Sequence, residues 1–315
     1  MHLAGKGIGY GKTILFGEHF VVYGLPAIAS AIADHTIATA EKGKAGLEFI
    51  DNRPEVAGYK ETKKDEIARE LEAIIRHLKI DTGKTPLKIT LSGNLECASG
   101  IGASAALASS IAGALNEHFK FGLDDDGINE IAYIAETAGS GTPSGIDNTC
   151  ATYGGMLTFE KNMRGGKNKI GRLDAAKPLH MVLVSSGITQ ETKGVVADVR
   201  AQKEKEPRKF ERIFGEYRNV FGGALEALKK GDAEKIGALM DTNQELLRQI
   251  NVSCPEIEEI ISTAKRNGAL GAKLTGTGRG GLVICLAQDA KAQEKIAQAA
   301  SKAGFEARKT AIGGK

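Results

Sequence analysis

Glycine is gathered along this chain rather than scattered, with dense groups at residues 5–11, 93–102, 139–145 and 276–281. There are 40 glycines in 315 residues but only 7 prolines and no period of three, which excludes a collagen-like helix. Glycine serves where the backbone takes positive φ or closely approaches a ligand. Several such groups in one chain suggest loops that cradle phosphate, although any one of them alone reads as a tight turn.

An apolar share of 42% beside 26% charged residues describes a chain with a real core. Its 42 basic and 39 acidic residues leave a net charge of +3, and the basic residues form no dense block, which argues against a nucleic-acid partner. The best membrane candidate, Phe20 to Ala33, is too short, contains Gly24 and Pro26, and ends at Asp34, so no membrane span is expected. The glycine-rich start lacks the apolar run of a secretory leader. Cys97, Cys150, Cys254 and Cys285 are far apart, without a CxxC pair, and read best as reduced, partly buried thiols of a cytoplasmic protein, with a disulfide between a pair of them left open.

Hydrophobic spacing predicts strands at residues 14–16, 36–40, 46–50, 87–91, 155–160, 181–185 and 282–286. Helices are expected where Ile67, Leu71, Ile74, Ile75 and Leu78 share a face, from Ser104 to about His118, and from Asp124 or Asp125 to near Gly139. Three more follow residue 185, on the stripes Phe210–Leu228, Ile236–Leu247 and Ile257–Ala264, the last opening at Pro255. An Ala-rich helix from about Asp289 to Ala303 closes the pattern. The polar segment 161–174 reads as a hairpin or linker, giving domains 1–172 and 173–315 of an α+β protein.

Two tempting motifs fail. Lys6–Thr13 nearly matches the P-loop GxxxxGK[ST], but Lys6 replaces its first glycine and a strand follows where a helix is required. Gly276–Gly281 satisfies GxGxxG, yet it too leads into a strand, unlike a dinucleotide fingerprint. The segment Ser99-Gly100-Ile101-Gly102-Ala103-Ser104-Ala105 is stronger, because its small residues open a helix whose N-terminal N–H groups and dipole suit a polyanion. There Ser104 reads either as a helix cap or as a hydroxyl ligand for Mg²⁺. Singly, Lys12, Glu18, His19, Glu136 and Asp147 are unremarkable.

Jointly they are not. Lys12-Thr13-Ile14-Leu15-Phe16-Gly17-Glu18-His19-Phe20-Val21-Val22-Tyr23-Gly24, the 100–105 loop, Ser144-Gly145-Ile146-Asp147-Asn148, and Lys273–Gly281 fall in the order seen in one superfamily. The chain resembles the kinases typified by galactokinase, homoserine kinase, mevalonate kinase and phosphomevalonate kinase (GHMP kinases), and its first and third segments resemble the mevalonate kinase branch. It departs from the family's phosphate loop at Glu96, Ala98 and Ala103, which stand for Pro, Gly and the first Ser.

The resemblance implies a two-domain GHMP-kinase fold, with an N-terminal domain like the second domain of ribosomal protein S5 and a ferredoxin-like C-terminal domain. It implies ATP-dependent phosphorylation of the terminal hydroxyl of mevalonate, with Asp147 as base and Lys12 stabilising the alkoxide and the transferring phosphoryl group. By the same carry-over Ser99, Gly100, Ile101, Gly102, Ala103, Ser104 and Ala105 bind ATP phosphates, and Ser104 and Glu136 bind Mg²⁺. Glu18, His19 and Thr192, the last in Glu191-Thr192-Lys193, would line the mevalonate pocket. A homodimer is left open. The alternatives are another small-alcohol kinase such as homoserine kinase, or a non-catalytic ligand-binding relative. The joint retention of Lys12, Ser104, Glu136 and Asp147 argues against the latter.

Overall fold

The computed structural model describes residues 4–97, 100–140, 143–188, 190 and 192–313. The chain falls into two compact units, one formed by the residues up to Lys12 with Ala31–Gly154, the other by Thr13–Ser30 with the residues from Gly155 onward.

The first unit takes the start of β1 (Gly5–Phe16) and most of β2 (Ala27–Lys42), then β3 (Leu47–Asp51), α1 (Tyr59–Thr62), α2 (Lys64–His77), β4 (Leu87–Gly93), α3 (Ala103–Phe119), α4 (Asp125–Ser140) and α5 (Ile146–Tyr153). β4 pairs antiparallel with β2, from Thr36↔Gly93 to Lys42↔Leu87, and parallel with β3. A parallel pair needs a long crossover, which α1 and α2 supply. The core is built from Leu71 and Ile74 of α2, Leu87, Ile89 and Leu91 of β4, Leu107, Ile111 and Leu115 of α3, and Ile131 and Ala135 of α4. Ile67, Ile75 and Leu78 of the expected α2 stripe pack at its edge. Asp124 caps α4, its Oδ1 accepting from the Gly127 N–H at 2.9 Å.

The first glycine group is neither a loop nor a turn. Gly5, Gly7 and Gly9 lie on one face of β1, where an added Cβ would meet His118 N at 2.4 Å, Ala114 N at 2.4 Å and Ala106 O at 2.0 Å. Two residues of strand advance about 6.7 Å and four residues of helix about 6.0 Å, so the alternate glycines stay in step with successive turns of α3. They let backbone pack on backbone, bringing β1 down onto the helix that starts at the phosphate-type loop.

The second unit adds β5 (Met156–Glu160), β6 (Lys169–Arg172), β7 (Leu179–Ser185), α6 (Thr192–Lys205), α7 (Pro207–Lys230), α8 (Ala233–Gln249), α9 (Pro255–Arg266), β8 (Gly271–Thr275), β9 (Leu282–Ala287), α10 (Ala290–Lys302) and β10 (Glu306–Ile312). β5 pairs with β6 and with the beginning of β2. The other four strands form an antiparallel sheet in the order β10-β7-β9-β8, which is the 4-1-3-2 order of a ferredoxin-like domain. The polar 161–174 segment carries the β5–β6 hairpin. β8 and β10 had no expectation from sequence, because β8 is buried throughout and does not alternate, and β10 is a charged edge strand. α5 and α6 were likewise unforeseen as helices. All four cysteines are free thiols, and Cys97, Cys150 and Cys285 are buried. Among the described residues no helix is long and apolar enough to cross a membrane.

Candidate active site

In the first unit, β1 delivers Lys12 to the start of α3. Its N–H donates to the Ile101 carbonyl at 2.7 Å, and its stem runs along Gly102, where an added Cβ would meet Lys12 Cγ at 3.0 Å. Gly102 has φ +82°, a left-handed conformation that side chains disfavour, and it turns the loop into the helix. The helical ladder begins with Ala106 N–H to Gly102 O at 3.0 Å, so the preceding N–H groups have no acceptor within the helix. Asp147 stands in the first turn of α5, and the Lys12 ammonium lies 3.2 Å from its Oδ1. The lysine is nearly sealed, at 7% side-chain exposure, while Asp147 is open at 36%.

Two buried carboxyls stand in the same unit. Glu136, on α4, is pushed well above the ordinary carboxylate range by burial first, then by the negative charges of Asp147 and Glu70, against the pull of Lys12. Glu70, on α2, is 1% exposed and pushed up to about 7, chiefly by burial. Its Oε1 accepts the Ser104 hydroxyl proton at 2.7 Å, so Ser104 bonds to a carboxylate rather than capping its own helix. The loop is fastened from another side by Arg53. Its Nη1 donates to the Ala103 carbonyl at 3.0 Å, while Nη2 and Nε grip the two oxygens of Asp51 at 2.7 and 3.0 Å. Gly100, Ile101, Gly102, Ala103, Ser104 and Ala105 thus lie together with Lys12 at the head of α3. Ser99 lies outside the described residues.

In the second unit the glycine motif Lys273–Gly281 is stitched to the residues after Lys12. Every second side chain makes a contact. Lys273 forms an ion pair with Glu18 in which both side chains are 0% exposed. Thr275 exchanges hydrogen bonds with the backbone N–H and C=O of Ile14, each at 3.1 Å. The Thr277 carbonyl accepts from His19 Nε2 at 2.6 Å, and its hydroxyl lies 2.8 Å from that of Thr192. Burial holds the His19 ring below its usual pKa, opposed by the Thr277 bond and reinforced by Arg279. With Nε2–H donating to a carbonyl, Nδ1 is the acceptor nitrogen, and it makes no hydrogen bond among the described residues. His19 and Thr192 therefore share Thr277 as neighbour, and Glu18 is closed off by Lys273.

Glu70 and Arg53 have no functional reading in the sequence, and Lys273 and Thr277 have none beyond their place in the Lys273–Gly281 glycine motif. One signal is there: Glu70 sits at i+3 from Ile67 and just before Leu71, on the apolar stripe of α2, where an unpaired carboxylate costs stability.

A lysine and an open aspartate at the head of a glycine-loop helix, beside buried acidic oxygens, with a ferredoxin-like sheet as second unit, define a small-molecule kinase of the GHMP type. Models of the GHMP kinases N-terminal domain and of the GHMP kinases C-terminal domain match residues 67–155 and 224–306. A mevalonate kinase of Thermococcus gammatolerans is 31% identical, covering 93% of this chain and 91% of the relative. That of Aeropyrum pernix is 30% identical over 96% and 95%. The crystal structure of L. major mevalonate kinase in complex with R-mevalonate superposes with a TM-score of 0.92 at 40% identity, over 98% of this chain and 95% of that one. A Lactococcus lactis galactokinase, at 16% identity and a TM-score of 0.77, shares the fold alone. The chain belongs to the mevalonate kinase family.

Proposed function

We propose that this protein transfers the terminal phosphoryl group of ATP to the terminal hydroxyl of (R)-mevalonate, making 5-phosphomevalonate for isoprenoid precursor synthesis. The observation that carries the reading is the Lys12–Asp147 pair at the head of α3. Asp147, exposed enough to meet a substrate, accepts the hydroxyl proton. Lys12, fixed at its backbone and along its stem, stabilises the alkoxide and the phosphoryl group in transfer. Backbone N–H groups of residues 99–105 cradle the phosphates, since positioning and charge stabilisation do most of the work in such transfers.

Glu18, His19 and Thr192 line the mevalonate pocket in this proposal, with Glu18 held in place by its ion pair. The acceptor nitrogen of a neutral His19 suits a hydroxyl of the substrate better than a carboxylate. Mg²⁺ fits Ser104 and Glu136. Both offer hard oxygens, and the crowding of Glu136 by Asp147 and Glu70 is an excess of negative charge that a divalent cation relieves. When bound, the ion neutralises charge on the ATP phosphate oxygens.

The two matched family segments fall on either side of residue 172, which supports reading 1–172 as the ATP-binding domain and 173–315 as the ferredoxin-like one. The free, mostly buried cysteines support a cytoplasmic setting. Whether the enzyme is a homodimer is read from its mass in solution. The reading itself is tested with a coupled ADP assay across mevalonate, homoserine, galactose and phosphomevalonate. Turnover with mevalonate far above the other three is expected. A preference for homoserine would move the protein to another branch, and no response to any would make it a binding relative.

A further inference from the structure

Glu70 is an expensive residue for its position. It occupies the apolar stripe of α2 between Ile67 and Leu71, is 1% exposed, and its Oε2 has no hydrogen-bond partner among the described residues. An apolar side chain there would remove the cost of burying a carboxyl. The surroundings are nevertheless built to admit it. Arg69, its neighbour on α2, donates to the carbonyls of Ala138 and Gly139 at 3.2 and 3.1 Å, fastening α2 to the end of α4. Gly139 leaves the space that the carboxylate fills, since a Cβ there would lie 2.4 Å from Glu70 Oε1. Among the described residues the carboxylate's hydrogen-bond partner is Ser104, in the first turn of α3.

A hydroxyl has one proton to give and two lone pairs. We propose that Glu70 is a positioning residue for the metal-bound nucleotide: by taking the Ser104 proton in a hydrogen bond, it leaves that hydroxyl's lone pairs as the face offered to the cation. This rests on the reading of Ser104 as a Mg²⁺ ligand. Outer-shell carboxylates that orient a ligating group act in this way, and losing one typically weakens metal affinity by about 10- to 100-fold.

The test is calorimetric binding of a non-hydrolysable ATP analogue, in Mg²⁺ and in EDTA. Glu70→Leu keeps bulk without an acceptor, and should weaken Mg²⁺-dependent binding about tenfold while binding in EDTA is unchanged. Glu70→Gln keeps the acceptor and should restore affinity to within about twofold of wild type. In a Ser104→Ala background, Glu70→Leu should add nothing further. Gly139→Ala, which displaces the carboxylate without removing it, should reproduce the Glu70→Leu loss and serves if that variant does not fold. An equal loss in EDTA, or a full additional loss on Ser104→Ala, would show a merely structural role and overturn the proposal. A Glu70→Leu enzyme indistinguishable from wild type, while Ser104→Ala loses its Mg²⁺ dependence, overturns the Glu70 inference alone. An unaffected Ser104→Ala enzyme overturns the metal reading of Ser104 and this inference with it.

Discussion

Two lysine–carboxylate pairs, one in each unit, use the same chemistry for opposite ends. In the second unit Lys273 and Glu18 are both 0% exposed, and burial holds the Lys273 ammonium below its usual pKa against the pull of Glu18. In the first unit Lys12 is nearly as sealed, but its partner Asp147 is 36% exposed and 3.2 Å away. A pair closed on both sides takes no part in the chemistry and fixes its surroundings, here the wall of the proposed mevalonate pocket. A pair with one open partner can exchange it for a substrate. Access to the carboxylate, rather than the presence of an ion pair, separates the proposed reactive pair from the strut.

The comparison breaks first at the strut. Glu18→Ala leaves an uncompensated buried ammonium, and denaturant unfolding should show a loss of about 3–5 kcal/mol. Joint replacement by Glu18→Leu and Lys273→Met should recover most of it, because apolar groups of similar bulk avoid the desolvation cost. A Glu18→Ala protein as stable as wild type would remove the distinction. At the open pair the balance reverses. Lys12→Met should cost about 10²- to 10³-fold in kcat, with a change in stability below about 1 kcal/mol, because Asp147 keeps its contact with water.

Smaller effects sharpen the picture. Gly102→Ala must take a left-handed backbone at φ +82° and press a Cβ against the Lys12 stem, so a loss of about 1–2 kcal/mol in stability is expected, with reduced turnover. Least of all is the pH effect of His19. Its pKa is lower in the folded chain than its ordinary 6.5, so its contribution to stability is present above 6.5 and is lost as pH falls through the folded value. His19→Asn, which tolerates the φ of +59° at this site, should flatten that dependence. A ring found by NMR to titrate at or above 6.5 would contradict it.

How much of this was legible beforehand follows from what periodicity records. The α2 and α4 faces and the β4 alternation are readable because each buries one side against the core, whereas α3, buried nearly all round, is readable only from its glycine-loop start. β8 was not, since all five of its residues are buried and Lys273 lies among them. The pairing of Lys12 with Asp147 is suggested only by motif order, because nothing in either residue alone predicts that 135 positions of separation close to a 3.2 Å contact. The contacts of Glu70 and Thr277 are with residues that folding alone brings together. The role of Gly5, Gly7 and Gly9 depends on which helix packs on β1, and their spacing of two was the only trace of it.

The most direct test of the account is the turnover of Asp147→Asn with saturating ATP and mevalonate, measured beside its nucleotide affinity. The substitution keeps the shape and removes the base. In Asp147→Asn we expect kcat to fall by about 10²- to 10⁴-fold while ATP still binds. An Asp147→Asn enzyme working near the wild-type rate would contradict it.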